Sequence, residues 1–203
     1  MERVIAAVLD AVHKAGLVEV EVSARHVHLT QADVERLFGP GTELKPVRPL
    51  SQPGQFLSEQ RVTLIGPKGR KERTAVLGPV RRATQVELSK SDCVEMGIQA
   101  PLRESGDVLG SGPITIEGPY GTIHLEEGAI IAHNHIHVTA PDAVMLDLHD
   151  QQRVSVEVFS QRPLVFEDVI IRVSTEFSCK MHIDFDEANA AMVSGFTLGK
   201  IIK

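Results

Sequence analysis

The chain has 203 residues, of which 42% are hydrophobic and 24% are charged, a composition that excludes a disordered or fibrous protein. Its 27 acidic and 21 basic residues give a net charge of −6, so we expect no nucleic acid or anionic membrane as a partner. The two cysteines form no C-x-x-C pattern, no apolar run is long enough to span a membrane, and residues 1–16 lack the pattern of a secretory signal. These features predict a cytoplasmic protein without a disulfide framework.

The order of predicted elements begins with a helix and continues mainly with strands. Residues 3–15 carry apolar side chains at helical spacing and predict a short amphipathic helix. Val18, Val20 and Val22 then alternate with glutamates, which predicts a strand that continues into residues 23–29. Further strands are predicted over 61–65, 74–80, 113–117, 121–125, 129–138, 153–159, 164–173 and 180–185, with a hairpin turn at residues 118–121.

Helical patterns are few and short. They follow Thr30, Ser91, Thr139 and Asp184. Residues 39–54, rich in proline and glycine, are predicted as one long irregular loop. Many short strands with few helices predict a mainly β fold of barrels or a sandwich.

An internal repeat divides the chain. The segment His26-Val-His28-Leu-Thr-x-x-Asp33 recurs 109 residues later as His135-Ile-His137-Val-Thr-x-x-Asp142. Each copy follows an alternating strand and precedes a short helical pattern. We therefore predict two related halves, each built as a β-barrel.

Each His-x-His pair has the spacing of a metal site. In a strand, residues i and i+2 point to the same face, with backbones about 7 Å apart. Imidazole is a preferred ligand of zinc, and a site open to substrate needs about three protein ligands. Glu87 and His182 are the candidate third ligands, so two open metal sites are predicted.

The other histidines and the basic residues leave alternatives open. His133 shares the predicted strand face of His135 and His137 and is an alternative ligand or a partner of one. His13, His124 and His149 have no partner at ligand spacing. Residues 61–82 contain seven basic residues and one acidic residue, which indicates either a solvated surface or a site for an anionic small molecule.

Seven segments, in order over residues 17–192, resemble the PduL-type phosphotransacylases, the phosphate propanoyltransferase family. They are SARHVHL (23–29), LSQPGQF (50–56), VTLIGPKG (62–69), VLGPVRRATQVELS (76–89), RESGD (103–107), HIHVTAPDA (135–143) and MHIDFDEANAA (181–191). The resemblance implies two related β-barrels capped by short helices, interleaved in sequence, with the active site between them. One barrel would comprise residues 1–24 and 133–203, and the other residues 25–132 with a lid-like insertion at 39–59.

The resemblance also implies an activity and its residues. A short acyl group, propanoyl or acetyl, would pass between CoA and inorganic phosphate, with two Zn²⁺ per chain. From the duplicated ligand sets we predict direct attack of zinc-bound phosphate on the thioester. One zinc would be held by His26, His28 and Glu87, the other by His135, His137 and His182. Arg81 would bind phosphate, and the CoA contacts would be Ser23, Ala24, Arg48, Leu77 and Asn189.

Two other functions are kept as alternatives: a zinc-dependent thioester hydrolase and a non-catalytic metal-binding module of a bacterial microcompartment. The resemblance further implies a homodimer, and the N-terminal helix is a candidate contact to a microcompartment shell or cargo, which makes the microcompartment lumen an alternative location. The chain departs from the family pattern at His133 and Asn134, where basic residues are expected, and at Phe185 beside the His182 segment.

Overall fold

The computed structural model describes residues 11, 12 and 14–203. Most of the helix predicted over residues 3–15, and His13, lie outside the described residues. The chain divides into two compact units. The terminal unit comprises residues up to Ser23 together with Asn134–Lys203, and the central unit comprises Ala24–His133.

The elements are short and mostly extended. In chain order they are β1 (Leu17–Val22), β2 (His26–His28), α1 (Gln31–Phe38), β3 (Pro46–Pro49), β4 (Phe56–Ile65), β5 (Arg70–Gly78), β6 (Gln85–Glu87), α2 (Lys90–Met96), β7 (Leu102–Arg103), β8 (Gly112–Glu117), β9 (Thr122–Ala132), β10 (His135–Val138), α3 (Ala140–Leu146), β11 (Arg153–Val158), β12 (Leu164–Val173), β13 (Lys180–Ile183), α4 (Phe185–Ala191) and β14 (Leu198–Ile202). No helix among the described residues is long and apolar enough to cross a membrane.

The terminal unit is a closed barrel of six strands in the order β1-β13-β10-β12-β11-β14. Alternation along each strand sends every second side chain inward, and the buried residues are aliphatic: Val18, Val20, Ile136, Val138, Val156, Val169, Ile171 and Met181. Gly199 on β14 lies where an added Cβ would come within 2.6 Å of Val156. The barrel closes there because glycine lets the backbone approach this packed side chain.

The central unit is an eight-stranded sheet in which six strands form a ring. β4, β5, β2, β6, β9 and β8 pair in turn, and β8 pairs back to β4. β3 adds to β4 and β7 adds to β9 outside this ring. The mainly β prediction with two related barrels is confirmed.

The two rings have the same pattern of parallel and antiparallel pairs. β2 is parallel to β5 and antiparallel to β6, as β10 is parallel to β12 and antiparallel to β13. β1 occupies in the terminal barrel the place that β9 occupies in the central barrel. The sequence repeat at residues 26–33 and 135–142 thus marks equivalent strands and helices of the two rings.

Side-chain caps begin each helix. Thr30 and Thr139 accept hydrogen bonds from the backbone N–H of Asp33 and Asp142, which satisfies donors that the first helical turn leaves unpaired. Ser89, and not Ser91, is the cap of α2, where it forms a capping box with Asp92. The four predicted helices are present, and α2 begins two residues before its predicted start.

Other predicted boundaries are also wrong. The strand expected to run from 18 to 29 breaks, because β1 ends at Val22 and β2 belongs to the other unit. The strand expected over 129–138 also breaks, with β9 ending at Ala132 and β10 beginning at His135. His133 therefore does not share a continuous strand face with His135 and His137. Residues 39–54 are not wholly irregular, since β3 pairs with β4 as an edge strand, a place where prolines are tolerated.

Candidate metal centre

Strand β2 presents His26 and His28 on one face of the central sheet. Val27, between them, is fully buried in the barrel core, so the two histidines point to the opposite face. Across the antiparallel pair β2–β6, Glu87 lies directly opposite His26. Residues directly opposite in a ladder share a face, which brings the predicted third ligand to the two histidines.

The three side chains are close enough to share one ion. The ligand atoms that they offer all lie within 4.8 Å of one another, and His26 Nε2 is 3.4 Å from Glu87 Oε2. All three residues are at most 9% exposed. His26 Nδ1 lies 2.9 Å from the carbonyl oxygen of Ala24. A proton on Nδ1 donates to that carbonyl and leaves the Nε2 lone pair facing Glu87.

Electrostatics favour the metal-binding protonation states of Glu87 and His28, whereas they oppose the loss of the proton that His26 must give up to bind a metal. Burial by itself would raise the pKa of the Glu87 carboxyl, but the His26 imidazole, His28 and the Ser105 hydroxyl hold it well below its usual range. Burial, reinforced by His26 and Arg81, lowers the pKa of His28 well below its usual value. Burial opposes protonation of His26 too, but the Glu87 carboxylate outweighs it and raises the pKa.

This donor set fits zinc. Two imidazoles and one carboxylate are a ligand set of zinc sites that keep one position open for water or substrate. The buried Nδ1 of His28 makes no hydrogen bond of normal geometry among the described residues. His26, His28 and Glu87 could hold a metal, as predicted for the first of the two sites.

The second oxygen of Glu87 is fixed by residues that the sequence analysis did not single out. Gln85 Nε2 and Ser105 Oγ each donate to Glu87 Oε1 at 2.7 Å. Arg81 donates from Nη1 to the same Ser105 hydroxyl at 3.0 Å. A sequence signal existed for Gln85, which precedes Glu87 by two residues and so shares its strand face. Ser105 had no such spacing signal, because its segment comes from elsewhere in the fold, and only the family resemblance of the RESGD segment (103–107) marked it.

The second predicted ligand set gathers in the terminal unit. His182 lies directly opposite His135 across the antiparallel pair β10–β13. The ring centroids are 4.7 Å apart for His135 and His137, 5.3 Å for His135 and His182, and 5.0 Å for His137 and His182. Phe177 packs on the His137 ring at 4.2 Å, and Ser23 Oγ is 3.5 Å from His182 Nδ1.

A cavity of about 210 Å³ adjoins the first set in the central unit. It is lined by His28, Arg81, Pro53, Gly54, Gln55, Gly78 and Pro79. The backbone N–H of Arg81 donates to the Leu29 carbonyl at 2.8 Å, which ties the 79–84 segment to the end of β2. A guanidinium and a candidate metal ligand therefore line the same cavity, together with part of the Ser51–Gly54 segment.

The remaining predicted residues lie at separate places. The Ala24 carbonyl accepts from His26, as described, and Leu77 lies opposite His28 across β5 and β2. Arg48 is exposed on β3, and Asn189 is exposed on α4. Their CoA-binding role stays a prediction. His124 Nδ1 lies 2.9 Å from Thr115 Oγ1, its partner across β8 and β9, and neither residue belongs to a predicted ligand set.

The chain is similar to known proteins of one family. The family model described as phosphate propanoyltransferase matches residues 19–194. A phosphate propanoyltransferase of Clostridioides difficile is 46% identical over 203 residues, covering 100% of this chain and 97% of that protein. Phosphate propanoyltransferases of Leptotrichia buccalis and Thermotoga maritima are 49% and 48% identical over 180 and 185 residues, covering 89% and 91% of this chain and 84% and 88% of their own.

These matches confirm the family resemblance and the predicted class of enzyme, an acyltransferase. The chain belongs to the phosphate propanoyltransferase family.

Proposed function

We propose that this protein transfers a short acyl group, propanoyl or acetyl, between CoA and inorganic phosphate with the help of bound zinc. The observation that supports the proposal most is the buried cluster of His26, His28 and Glu87 beside a cavity that also contains Arg81. A metal-ligand set and a cation at one cavity suit a reaction in which a thiolate leaves and a phosphate enters.

The proposed chemistry is a direct displacement. A phosphate oxygen attacks the thioester carbonyl carbon, a C–O bond forms, the C–S bond breaks, and CoA leaves as the thiolate. His26, His28 and Glu87 would hold a zinc ion, which would supply a Lewis acid for this thiolate. Arg81 supplies a fixed positive charge for the phosphate, and holding both reactants in line provides much of the rate.

The residues near this site also argue against a covalent acyl-enzyme. Ser105 Oγ accepts hydrogen bonds from Arg81 and Gln85 and donates its one hydrogen to Glu87. Its donor and both of its acceptor lone pairs are therefore used. Both cysteines are buried in barrel cores. Ser105 and the two cysteines are therefore not presented as nucleophiles by these contacts.

We propose His135, His137 and His182 as the ligands of a second zinc ion. Three neutral imidazoles would leave the full positive charge of the ion available to an anion, whereas Glu87 would offset part of the charge in the first set. The second set therefore suits phosphate, and the first set suits the thiolate. The two sets occupy equivalent strand positions, which supports this assignment. Glu87 lies opposite His26 across β2–β6, and His182 lies opposite His135 across β10–β13.

Thiol release from propanoyl-CoA, measured with and without inorganic phosphate, tests the function. We expect release that depends on phosphate and yields acyl phosphate, that stops after chelation, and that returns with zinc. Release at the same rate without phosphate would instead identify a thioester hydrolase. Absence of turnover with about two zinc ions bound would identify a non-catalytic metal-binding module.

Metal analysis of the purified chain is the independent check. We expect about two zinc ions per chain, since each ligand set holds one. A content near one ion, lost on His26→Ala and kept on His135→Ala, would overturn the second site alone.

A further inference from the structure

We propose that Gln85 is a positioning residue that locks the Glu87 carboxylate in one orientation and thereby sets the affinity of the central unit for its metal. The inference rests on the proposed role of Glu87 as a metal ligand. Gln85 does not itself offer a ligand atom to the cluster of His26, His28 and Glu87.

The strand register places Gln85 beside the ligand set. Gln85 lies directly opposite His28, as Glu87 lies opposite His26, so the four side chains form two facing pairs on one face of the sheet. Gln85 is 2% exposed. A buried amide must be hydrogen-bonded to be tolerated, and each of its groups has a partner.

The contacts of Gln85 fix the direction of its amide. Its Oε1 accepts a hydrogen bond from the backbone N–H of Gly106 at 2.7 Å. A backbone N–H can only donate, so the carbonyl oxygen must face Gly106 and the amide NH₂ must face the other way. Nε2 then donates to Glu87 Oε1 at 2.7 Å and to Ser105 Oγ at 3.0 Å.

The same reasoning fixes the Ser105 hydroxyl. Arg81 and the Gln85 amide nitrogen are both donors to Ser105 Oγ, so the one hydroxyl hydrogen is left for Glu87 Oε1, at 2.7 Å. Glu87 Oε1 consequently receives two hydrogen bonds. Its other oxygen, Oε2, is the one that faces His26 Nε2, and the carboxylate is held for binding through that atom.

A carboxylate needs this support more than an imidazole does. The last torsion of a glutamate has broad, weakly preferred states, and both oxygens can bind a metal, so an unsupported Glu87 would sample several orientations. In the terminal unit the third ligand is His182, and the position equivalent to Gln85, opposite His137, is Lys180. Lys180 forms an ion pair with Glu19. The glutamine thus accompanies the ligand set that contains the carboxylate.

The test measures zinc affinity by competition with a chromogenic chelator. The full chain carries His135→Ala and His137→Ala, so that the reported ion is the one at His26, His28 and Glu87. Gln85→Met keeps the length of the side chain but removes its hydrogen bonds. We expect zinc binding to weaken about 10- to 100-fold, the usual effect of losing a partner of a metal ligand.

Gln60→Met is the matched control, because Gln60 also makes two hydrogen bonds, to Lys45 N–H and the Glu43 carbonyl, but lies on β4, which pairs with β3, β5 and β8 and not with β2 or β6. We expect its zinc affinity to stay within about threefold of the parent. Gln85→Asn, whose amide is drawn back by one methylene, provides a second variant that retains an amide and is expected to fall between the parent and Gln85→Met. Urea unfolding of the metal-free proteins separates loss of fold from loss of affinity.

Zinc affinity of folded Gln85→Met or Gln85→Asn equal to that of the parent would overturn the positioning role alone. A parent that binds no zinc would overturn the metal centre and this role together. A parent that binds zinc without phosphate-dependent turnover would overturn the proposed function, whereas the affinity ratio would still decide the role of Gln85.

Discussion

Glu87 lies directly opposite His26 across the antiparallel strands β2 and β6, and this cross-strand pair joins two residues 61 positions apart in the chain into one candidate metal site. His135 and His182 are the corresponding pair on β10 and β13. A directly opposite pair shares a face of the sheet and has its Cβ atoms about 5 Å apart. The register of two short strands therefore defines each set.

We expect Glu87→Gln to weaken or release the ion of the central unit. The change keeps the shape of the side chain but removes the negative charge that faces His26 Nε2. Zinc content should fall by about one ion per chain, and kcat/KM for thiol release should fall at least about 100-fold, the upper part of the range for disturbed metal sites. The control is His124→Ala, an exposed histidine of the same unit, which should retain wild-type metal content and turnover. Full zinc content in Glu87→Gln would remove Glu87 from the ligand set.

We expect Arg81→Ala to raise the KM for phosphate at least about tenfold. The guanidinium lines the cavity beside His28 and is held by the Ser105 hydroxyl, so its loss removes a fixed positive charge from the proposed phosphate site. Arg82→Ala is the matched control, since Arg82 is exposed in the neighbouring position. Initial rates at varied phosphate with saturating acyl-CoA give the comparison. An unchanged KM and kcat in Arg81→Ala would mean that phosphate binds elsewhere.

Asp92 should contribute stability that depends on pH. Burial alone would raise the pKa of its carboxyl, but hydrogen bonds and charge from Arg25 and Lys71 outweigh burial and lower the pKa. Because the folded-state pKa lies below the unfolded value of about 4, the contribution is complete above pH 4 and is lost as the pH falls through the folded-state value. Asp92→Asn should therefore lower the free energy of unfolding by about 2 kcal/mol at pH 7 and by progressively less below pH 4.

Urea unfolding at pH 7, 5 and 3.5 measures this difference. Glu59→Gln is the control, since Glu59 pairs with Lys45 at 3.9 Å and its side chain is 69% exposed. An exposed pair of this kind contributes at most about 1 kcal/mol. A deficit in Asp92→Asn that stays constant from pH 7 down to the lowest pH tested would contradict the assigned charge interaction.

The two cysteines should be unreactive in the folded protein. Burial, and after it the charge of Asp142, raises the pKa of the Cys179 thiol to about 12, and Cys93 is 1% exposed in the other core. Because the thiolate is the reactive form, a disulfide reagent at pH 8 should label neither residue of the native protein over the duration of an activity assay. It should label both in urea. Labelling of the native protein within seconds would show that one of these cores opens rapidly.

The hairpin and the starts of α1, α3 and α4 could be predicted because their determinants are local. Gly118, Pro119 and Gly121 lie in the turn between β8 and β9, and Thr30 and Thr139 cap the helices that follow them. β14 was missed, since Leu198–Ile202 is short and contains a glycine and a lysine. It forms because β1 and β11 both offer it a partner edge, which no local pattern can indicate.

The sequence by itself determined the two His-x-His pairs, because strand geometry places residues i and i+2 on one face whatever the rest of the fold does. Only the tertiary structure decided that Gln85 and Ser105 hold the carboxylate of Glu87, and that the chain breaks its strand after Ala132 so that His133 is separated from the strand of His135 and His137. Those facts depend on strand register and on a loop brought in from 18 residues further along the chain. Hydrogen bonds of that kind form between atoms that only a closed barrel brings within 3 Å of each other.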